Sequence, residues 1–259
     1  RNAETSRSYQ QIQKRSNSMN MLKEDILALT ADDVRLRLDA GELIDIATLL
    51  HAFWRYDYDA AKDGRLGLHA LLKSGLHSDG FFVSRILLEP ERMRRAIALM
   101  MVDRLKKAGV ARPDYVVGIP DGATKLGTLV AEIFGSQEAK MKKDGKRIVM
   151  DSVVPSGATV LLIEDFCTRG TGFIEAAKEV KNQQPSVELV PYDPVIINRG
   201  GLESVDVDGV GPFTVLALVN NRIQDWEGEK CPLCEKGSGV IKPKVNDHNW
   251  KLITTAQLP

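Results

Sequence analysis

Two adjacent acids and a run of small hydroxyl and glycine residues lie close together in the chain. Glu164 and Asp165 precede residues 168–172, with only two residues between. A loop rich in threonine and glycine offers backbone N–H groups and hydroxyls that suit a phosphate monoester. Two carboxylates can accept hydrogen bonds from a ribose diol or bind a divalent cation through oxygen. These residue types therefore indicate a site for a phosphorylated sugar.

The segments on either side predict a strand, a loop and a helix. Residues 160–163 form a short apolar run, which is typical of a buried parallel strand, and the acids follow it. Residues 174–183 have a helical pattern. The loop would then lie at the N terminus of this helix, where the dipole and free N–H groups favour an anion. An ordinary strand-to-helix turn with surface acids is the alternative.

The order of strand, acid pair, small-residue loop and helix resembles the motif that binds phosphoribosyl pyrophosphate (PRPP) in type I phosphoribosyltransferases. The family usually has a small residue where this chain has Arg169. The resemblance implies that Glu164 and Asp165 hold the ribose hydroxyls, that the loop binds the 5′-phosphate, and that Mg²⁺ bridges the diphosphate and the ribose. The loop residues are Thr168, Arg169, Gly170, Thr171 and Gly172.

A second segment, residues 72–84, resembles the L-K-S-G and F-F-N segment of orotate phosphoribosyltransferases. The resemblance implies that Lys73 points at the pyrophosphate or the base, and that Phe81 and Phe82 bracket a flat base. An aromatic face and a cation suit an anionic pyrimidine. Val83 stands where the family often has asparagine. A hairpin turn with the phenylalanines in the core is the alternative.

Two further segments resemble the same family. A buried strand at residues 115–118 precedes a turn and a helix, and the amides of this turn would meet the diphosphate. Residues 138–147 are rich in lysine and resemble the mobile lid whose lysines clamp the pyrophosphate; a solvated hairpin tip is the alternative. The residues concerned are Pro120, Asp121 and Gly122 in the turn and Lys140, Lys142 and Lys143 in the lid.

Arg199 follows a predicted strand at residues 194–198. The orotate family has an arginine here that grips the carboxylate of the base, because a guanidinium matches a carboxylate bidentately. A loop arginine without this role is the alternative. The resemblance implies phosphoribosyl transfer from PRPP to a nitrogen base, with orotate favoured, in a homodimer. A transferase for a purine or another base, and a regulator that senses PRPP or a nucleotide without turnover, are the other hypotheses.

The C-terminal region contains the pair Cys231 and Cys234, half of a typical zinc site. One interpretation is a zinc site completed by His248 and an upstream histidine or carboxylate, serving structure or a zinc-dependent interaction module. Reduced structural cysteines are the other. We interpret His77 as a solvated loop histidine, with titration near neutral pH as the alternative. Residues 242–250 are expected to fold onto the body of the protein.

The composition indicates a soluble globular protein. The 35 basic and 35 acidic residues cancel, which gives no global electrostatic case for nucleic acid or membrane partners. No apolar run approaches the ~20 residues that span a bilayer, and the N terminus lacks the apolar core of a signal peptide, so we expect a cytoplasmic location. The predicted α/β fold has a parallel sheet flanked by helices. It comprises a disordered arm (residues 1–20), a helical hood (21–88), the phosphoribosyltransferase core (89–222) and a C-terminal extension (223–259).

Overall fold

The computed structural model describes residues 40–259, so the predicted disordered arm lies outside the described residues. Within that range, no helix has both the length and the apolar character needed to cross a membrane. The helices are α1 (Ala40–Leu49), α2 (Tyr58–Lys62), α3 (Ser84–Leu88), α4 (Glu91–Lys107), α5 (Thr124–Phe134), α6 (Thr171–Gln183), α7 (Pro232–Glu235) and α8 (Asp247–Thr255).

The strands of residues 40–259 form one large sheet and three smaller ones. Their bounds are β1 (Phe53–Arg55), β2 (Leu68–Leu71), β3 (His77–Ser78), β4 (Gly80–Phe82), β5 (Tyr115–Gly118), β6 (Gln137–Ala139), β7 (Met141–Asp144), β8 (Arg147–Met150), β9 (Thr159–Cys167), β10 (Glu188–Leu189), β11 (Tyr192–Asn198), β12 (Ser204–Val207), β13 (Gly211–Asn220), β14 (Asp225–Trp226) and β15 (Gly239–Ile241).

The large sheet has the order β12-β13-β11-β9-β5-β6, and β10 pairs with β9. All pairings from β13 to β6 are parallel, whereas β12 pairs antiparallel with β13 at one edge. Helices follow β5 and β9 directly, which is the usual way to connect parallel strands. The predicted parallel sheet flanked by helices is therefore confirmed.

The side chains of β9 alternate between two hydrophobic cores, one on each face of the sheet. Leu161 and Ile163 pack with α4 and α5. Val160 and Leu162 pack with α6 and with the hairpin of β7 and β8. Burial on both faces explains why this strand is a continuous apolar run in the sequence.

The hood differs from the prediction. The described part of the predicted helical hood contains strands β1 to β4 as well as short helices. The C-terminal extension is not a separate appendage, because β15 pairs with β2 and β14 pairs with β3 to give the sheet β14-β3-β2-β15. Trp54, Tyr56 and Ile253 share a third core beneath this sheet. Both ends of the described chain therefore build the hood together.

Candidate active site

A cleft lies at the edge where β5, β9 and β11 end. Because these strands are parallel, the loops after them meet at one edge, where α/β sheets usually bind ligands. The cleft has a first lobe of about 980 Å³ and a second lobe of about 830 Å³. The two lobes share the residues Phe81, Phe166, Arg199, Pro243, Lys244 and Val245.

Most of the residues singled out in the sequence line this cleft. The first lobe contains Phe81, Phe82, Pro120, Asp121, Gly122, Lys143, Asp165 and Arg199. The second lobe contains Lys73, Phe81, Glu164, Thr168, Arg169, Gly170, Thr171 and Arg199. Gly172 lies behind the second lobe: a Cβ atom added to it would be 2.7 Å from Glu164 Oε1. Lys140, Lys142 and His248 are not among the lining residues.

The two acids of the motif lie on opposite faces of β9. The strand was expected to end at Ile163, but it continues to Cys167 because it pairs with β11 as far as Asn198. Successive side chains of a strand alternate, so Asp165 and Glu164 enter different lobes. The carboxylates therefore approach a ligand from two sides.

Asp165 is held under the turn that follows β5. A Cβ atom on Gly122 would lie 1.8 Å from Asp165 Oδ2, so only glycine allows the turn to cross the carboxylate so closely. The backbone N–H of Phe166 donates to Asp165 Oδ1 over 3.1 Å. Burial raises the pKa of Asp165 and outweighs the hydrogen bonds from Ser84 and Phe166, which lower it.

A buried group of acids, which the sequence analysis missed, lies beneath the second lobe. Ligand atoms of Glu164, Cys167 and Asp193 lie within 4.8 Å of one another. Burial and then the charge of Asp193 raise the pKa of Glu164 well above its ordinary value. Burial raises the pKa of Asp193 to about 7 and that of Cys167 to about 12. An aspartate directly before the apolar residues 194–197 of strand β11 was the available signal.

Because Asp193 is buried, we expect the stability of the protein to depend on pH. The pKa of Asp193 rises from 3.8 to about 7 on folding, so the folded chain keeps a proton that the unfolded chain releases. Asp193 therefore costs stability as pH rises from about 4 to about 7. We expect Asp193→Asn to raise the free energy of unfolding by roughly 2–4 kcal/mol at pH 8, at about 1.4 kcal/mol per pKa unit, and to change it little at pH 4.

Urea unfolding of both proteins at pH 4 and pH 8 measures this difference. Asp206→Asn is the matched control, because Asp206 is exposed on β12. An equal change at both pH values in Asp193→Asn would contradict the assignment of the raised pKa.

The small-residue loop leads into α6 as predicted. Gly170 is the residue before the helix and has φ of +68°, and an added Cβ atom would lie 2.6 Å from Val205. Thr168, Arg169 and Thr171 all line the second lobe, and Arg169 is exposed. The N terminus of α6 therefore faces this lobe with its hydroxyls and N–H groups.

The lysine-rich segment forms an antiparallel hairpin of β7 and β8. Lys143 Nζ lies 2.9 Å from Asp121 Oδ2, which connects the hairpin to the turn after β5. Lys142 instead forms an ion pair with Asp151, since neighbouring residues of β7 point to opposite faces. Lys140 Nζ lies 3.9 Å from Glu138. Of the three lysines expected at the pyrophosphate, only Lys143 reaches the cleft.

The aromatic residues differ in their access to the cleft. Phe82 is 3% exposed and contacts Phe53 and Phe166, at centroid distances of 5.8 and 4.6 Å. Phe81 is partly exposed and lies 6.0 Å from the ring of Trp250. Phe81 and Phe82 are neighbours on β4 and point to opposite faces, so they cannot form the two walls of one slot as expected. Phe166, which the sequence analysis missed although it lies inside the motif, borders both lobes.

Arg199 is a largely buried cation at the junction of the lobes. Its side chain is 11% exposed, and Nη2 lies 3.8 Å from Asp225 Oδ1. Within residues 40–259, Nε and Nη2 have no hydrogen-bond partner. Burial lowers the pKa of Arg199, but an arginine stays protonated in proteins. Two N–H donors of a buried cation are thus available to an anion in the cleft.

The C-terminal extension folds onto the body as expected and also borders the cleft. Lys244 and Trp250 line the first lobe, and Trp250 Nε1 donates to the carbonyl of His51. His248 was expected beside the cysteines, but it is exposed on α8 and is not part of their cluster.

The histidines near the cysteines are two others. His69 and His77 lie against Cys231 and Cys234, because β2 and β3 carry them there through pairing with β15 and β14. The interpretation of His77 as a solvated loop histidine was therefore wrong.

Comparison with known proteins identifies orotate phosphoribosyltransferases among the relatives of this chain. The chain is 29% identical over 185 residues to an orotate phosphoribosyltransferase of a Nitratiruptor species, covering 68% of this chain and 90% of that protein. It is 29% identical over 181 residues to an orotate phosphoribosyltransferase of Acidithiobacillus ferrooxidans, covering 68% of this chain and 87% of that protein. No protein-family model matches the chain.

A solved structure supports the fold. The chain superposes on the Leishmania donovani UMP synthase with a TM-score of 0.53 and 17% identity, over 83% of this chain and 41% of that chain. At this identity the likeness shows a shared fold. The expected type I phosphoribosyltransferase fold is therefore confirmed. In sequence the chain is related to orotate phosphoribosyltransferases, which are enzymes of that class.

Proposed function

We propose that the chain transfers the phosphoribosyl group of PRPP to orotate, which yields orotidine 5′-monophosphate and pyrophosphate. The observation that carries the choice of base is Arg199, a largely buried guanidinium at the junction of the lobes, whose Nε and Nη2 have no hydrogen-bond acceptor among residues 40–259. Orotate carries a carboxylate that pairs with such a group, whereas uracil and the purine bases do not. The curated relatives named above are orotate phosphoribosyltransferases.

PRPP would lie across both lobes. The N terminus of α6 and the hydroxyls of Thr168 and Thr171 would bind the 5′-phosphate in the second lobe. Lys143 and the turn at residues 120–122 would face the diphosphate in the first lobe. Lys73, which lines the second lobe, would contribute a further cation. Glu164 and Asp165 approach from the two lobes, so the ribose hydroxyls would lie between them.

The oxygen ligands at the first lobe fit Mg²⁺. Asp165 and Asp121 offer carboxylate oxygens and no sulfur or nitrogen donor, which is the set that a hard cation prefers. When bound with PRPP, Mg²⁺ would supply positive charge to the diphosphate. Lys143 is the side chain of the hairpin that faces the same charge.

The reaction needs positioning and charge balance more than a nucleophile. Bond breaking at the ribose would leave positive charge on the ring and negative charge on the departing pyrophosphate. The carboxylate of Asp165 would face the first charge, and the ammonium of Lys143 the second. Phe81 and Phe166 would bound the base and exclude water from the reacting carbon.

The hairpin provides a paired test of the role of Lys143. We expect Lys143→Ala to lower kcat by about 10-fold, because charge on the departing pyrophosphate loses a facing cation. Lys142→Ala is the matched control, since Lys142 pairs with Asp151 on the other face of β7 and should leave kcat nearly unchanged. Steady-state pyrophosphate release measures both. Equal effects of the two substitutions would contradict the assignment.

Pyrophosphate release with separate bases tests the function itself. The purified protein is given PRPP and Mg²⁺ with orotate, uracil, hypoxanthine, guanine or adenine. We expect release with orotate alone. Release only with a purine would keep the PRPP site and overturn the proposed base. Binding of PRPP without release for any base would indicate a sensor.

The homodimer, which rests on the family resemblance, and the cytoplasmic location both stay predictions. Analytical ultracentrifugation of the purified protein tests the first, with a sedimentation mass of twice the 28.6 kDa chain expected.

A further inference from the structure

Four side chains with metal-binding atoms converge inside the hood, away from the cleft. They are His69 on β2, His77 on β3, and Cys231 and Cys234 around the short helix α7, and their ligand atoms all lie within 4.8 Å of one another. His69 and Cys231 are fully buried, and Trp54 and Leu233 belong to the same core. One cation could satisfy two thiols and two imidazole nitrogens that converge in an apolar core.

The distances between these atoms match a tetrahedral metal site. His69 Nε2 lies 3.0 Å from His77 Nδ1, 3.5 Å from Cys231 Sγ and 3.4 Å from Cys234 Sγ. Cys234 Sγ lies 3.3 Å from His77 Nδ1. Around zinc with bonds of about 2.3 Å to sulfur and about 2.0 Å to nitrogen, neighbouring ligand atoms are about 3.3 to 3.8 Å apart. The cluster therefore encloses a centre of the right size.

The contact between Ser238 and Nδ1 of His69 favours the tautomer in which Nε2 can bind a metal. Ser238 Oγ donates to the carbonyl of Gly67 over 3.3 Å, and it lies 3.0 Å from His69 Nδ1. With its hydrogen directed to Gly67, the hydroxyl accepts from Nδ1–H. This tautomer leaves a lone pair on Nε2, which points at the two thiols and at His77. Metal-binding histidines usually have such a partner on the second nitrogen.

We propose that His69, His77, Cys231 and Cys234 bind one Zn²⁺ ion. Two thiolates and two neutral imidazoles in a tetrahedron are a typical zinc donor set, and two thiolates balance the charge of the ion. Four protein ligands leave no open position, so the site is structural.

This zinc would connect the two ends of the hood. It would join the hairpin of β2 and β3, whose turn carries Lys73, to the C-terminal extension that lines the first lobe. The site does not depend on which base the enzyme accepts.

Metal analysis of the purified protein tests the proposal. We expect inductively coupled plasma mass spectrometry to find about one zinc per chain. Cys231→Ser and Cys234→Ser should lose this zinc. Two matched controls should keep it: Cys167→Ser, which changes the third cysteine, and His248→Ala, which changes a histidine outside the cluster.

Cobalt substitution keeps the test decisive if the cysteine variants fail to fold. The wild-type protein is stripped with a chelator and given Co²⁺, and we expect the strong visible bands of tetrahedral Co²⁺ and a thiolate charge-transfer band. Removal of zinc should also lower the melting temperature by at least about 5 °C. Wild-type protein without zinc and without these cobalt bands would overturn the proposal, as would a disulfide between Cys231 and Cys234.

Discussion

Replacing Asp165 with asparagine is expected to lower kcat/KM for PRPP by about 100- to 1,000-fold, the range found when one charge-stabilising group is lost from an active site. Asparagine has nearly the same shape, so the contact with Gly122 and the path of β9 are kept. The substitution removes the negative charge that faces the ribose. It also turns an acceptor of two hydrogen bonds from the diol into a group with one carbonyl oxygen. Steady-state kinetics with varied PRPP measures the loss.

The control for this substitution is Asp208→Asn. Asp208 lies in the turn between β12 and β13, its side chain is 98% exposed, and it forms an ion pair to Lys178 at a distance of 3.8 Å. It should keep wild-type kinetics. Thermal unfolding of both variants separates a loss of charge from a loss of fold. A stable Asp165→Asn protein with wild-type kcat/KM would show that this carboxylate does not take part in the reaction.

The sequence predicted the elements around the motif well, because their signals are local. The apolar run of β9 and the helical pattern of α6 each follow from burial on known faces. The turn at residues 120–122 was found from the apolar strand before it and the helix after it. The segment of β7 and β8 was instead interpreted from its charges and its resemblance to a lid, with a hairpin tip as the alternative, and it forms a separate two-stranded sheet.

The sequence alone did not show in which direction each side chain points after Ile163, the last residue of the apolar run. Because β11 extends the pairing of β9 to Cys167, the strand alternation carries through Glu164, Asp165 and Phe166. A loop would have left their directions open. The same alternation separates Lys142 from Lys143 and Phe81 from Phe82. One pairing partner outside the motif thus decided the role available to several residues inside it.

Local sequence patterns also could not predict which histidines lie beside Cys231 and Cys234. His69 and His77 precede Cys231 by more than half the length of the chain. They reach it only because strands from the two ends of the described chain pair in one small sheet. His248, close in sequence, lies on a helix that packs beside the cleft instead. Spacing along the chain therefore predicted the correct cysteines but the wrong histidine.

The ends of β9 and β11 hold the guanidinium of Arg199 where it could pair with a negatively charged base. Its backbone N–H donates to the carbonyl of Cys167, so the end of β11 is tied to the end of β9. The guanidinium is buried beside Asp225 at a distance too long for a hydrogen bond. A buried cation with unsatisfied donors costs free energy until an anion pairs with it. A carboxylate on the base would remove that cost, and a neutral base would not.

Replacing Arg199 with glutamine should therefore act on the base and not on PRPP. Loss of one partner of a buried, hydrogen-bonded charge pair costs about 2–5 kcal/mol, so we expect kcat/KM for orotate to fall by about 100-fold or more. The affinity for PRPP, measured by calorimetry without a base, should be nearly unchanged. Initial rates with orotate and with uracil then show whether the preference for the charged base has been lost.

Arg112→Gln is the matched control, because Arg112 lies in the loop before β5, at the other end of that strand, and donates to the carbonyl of Gly135. It should keep the wild-type preference for orotate. If Arg199→Gln weakened PRPP binding as much as it slowed the reaction with orotate, Arg199 would belong to the phosphate site. If neither quantity changed, the two unpaired N–H groups would have no ligand, and the choice of orotate would lose its structural basis.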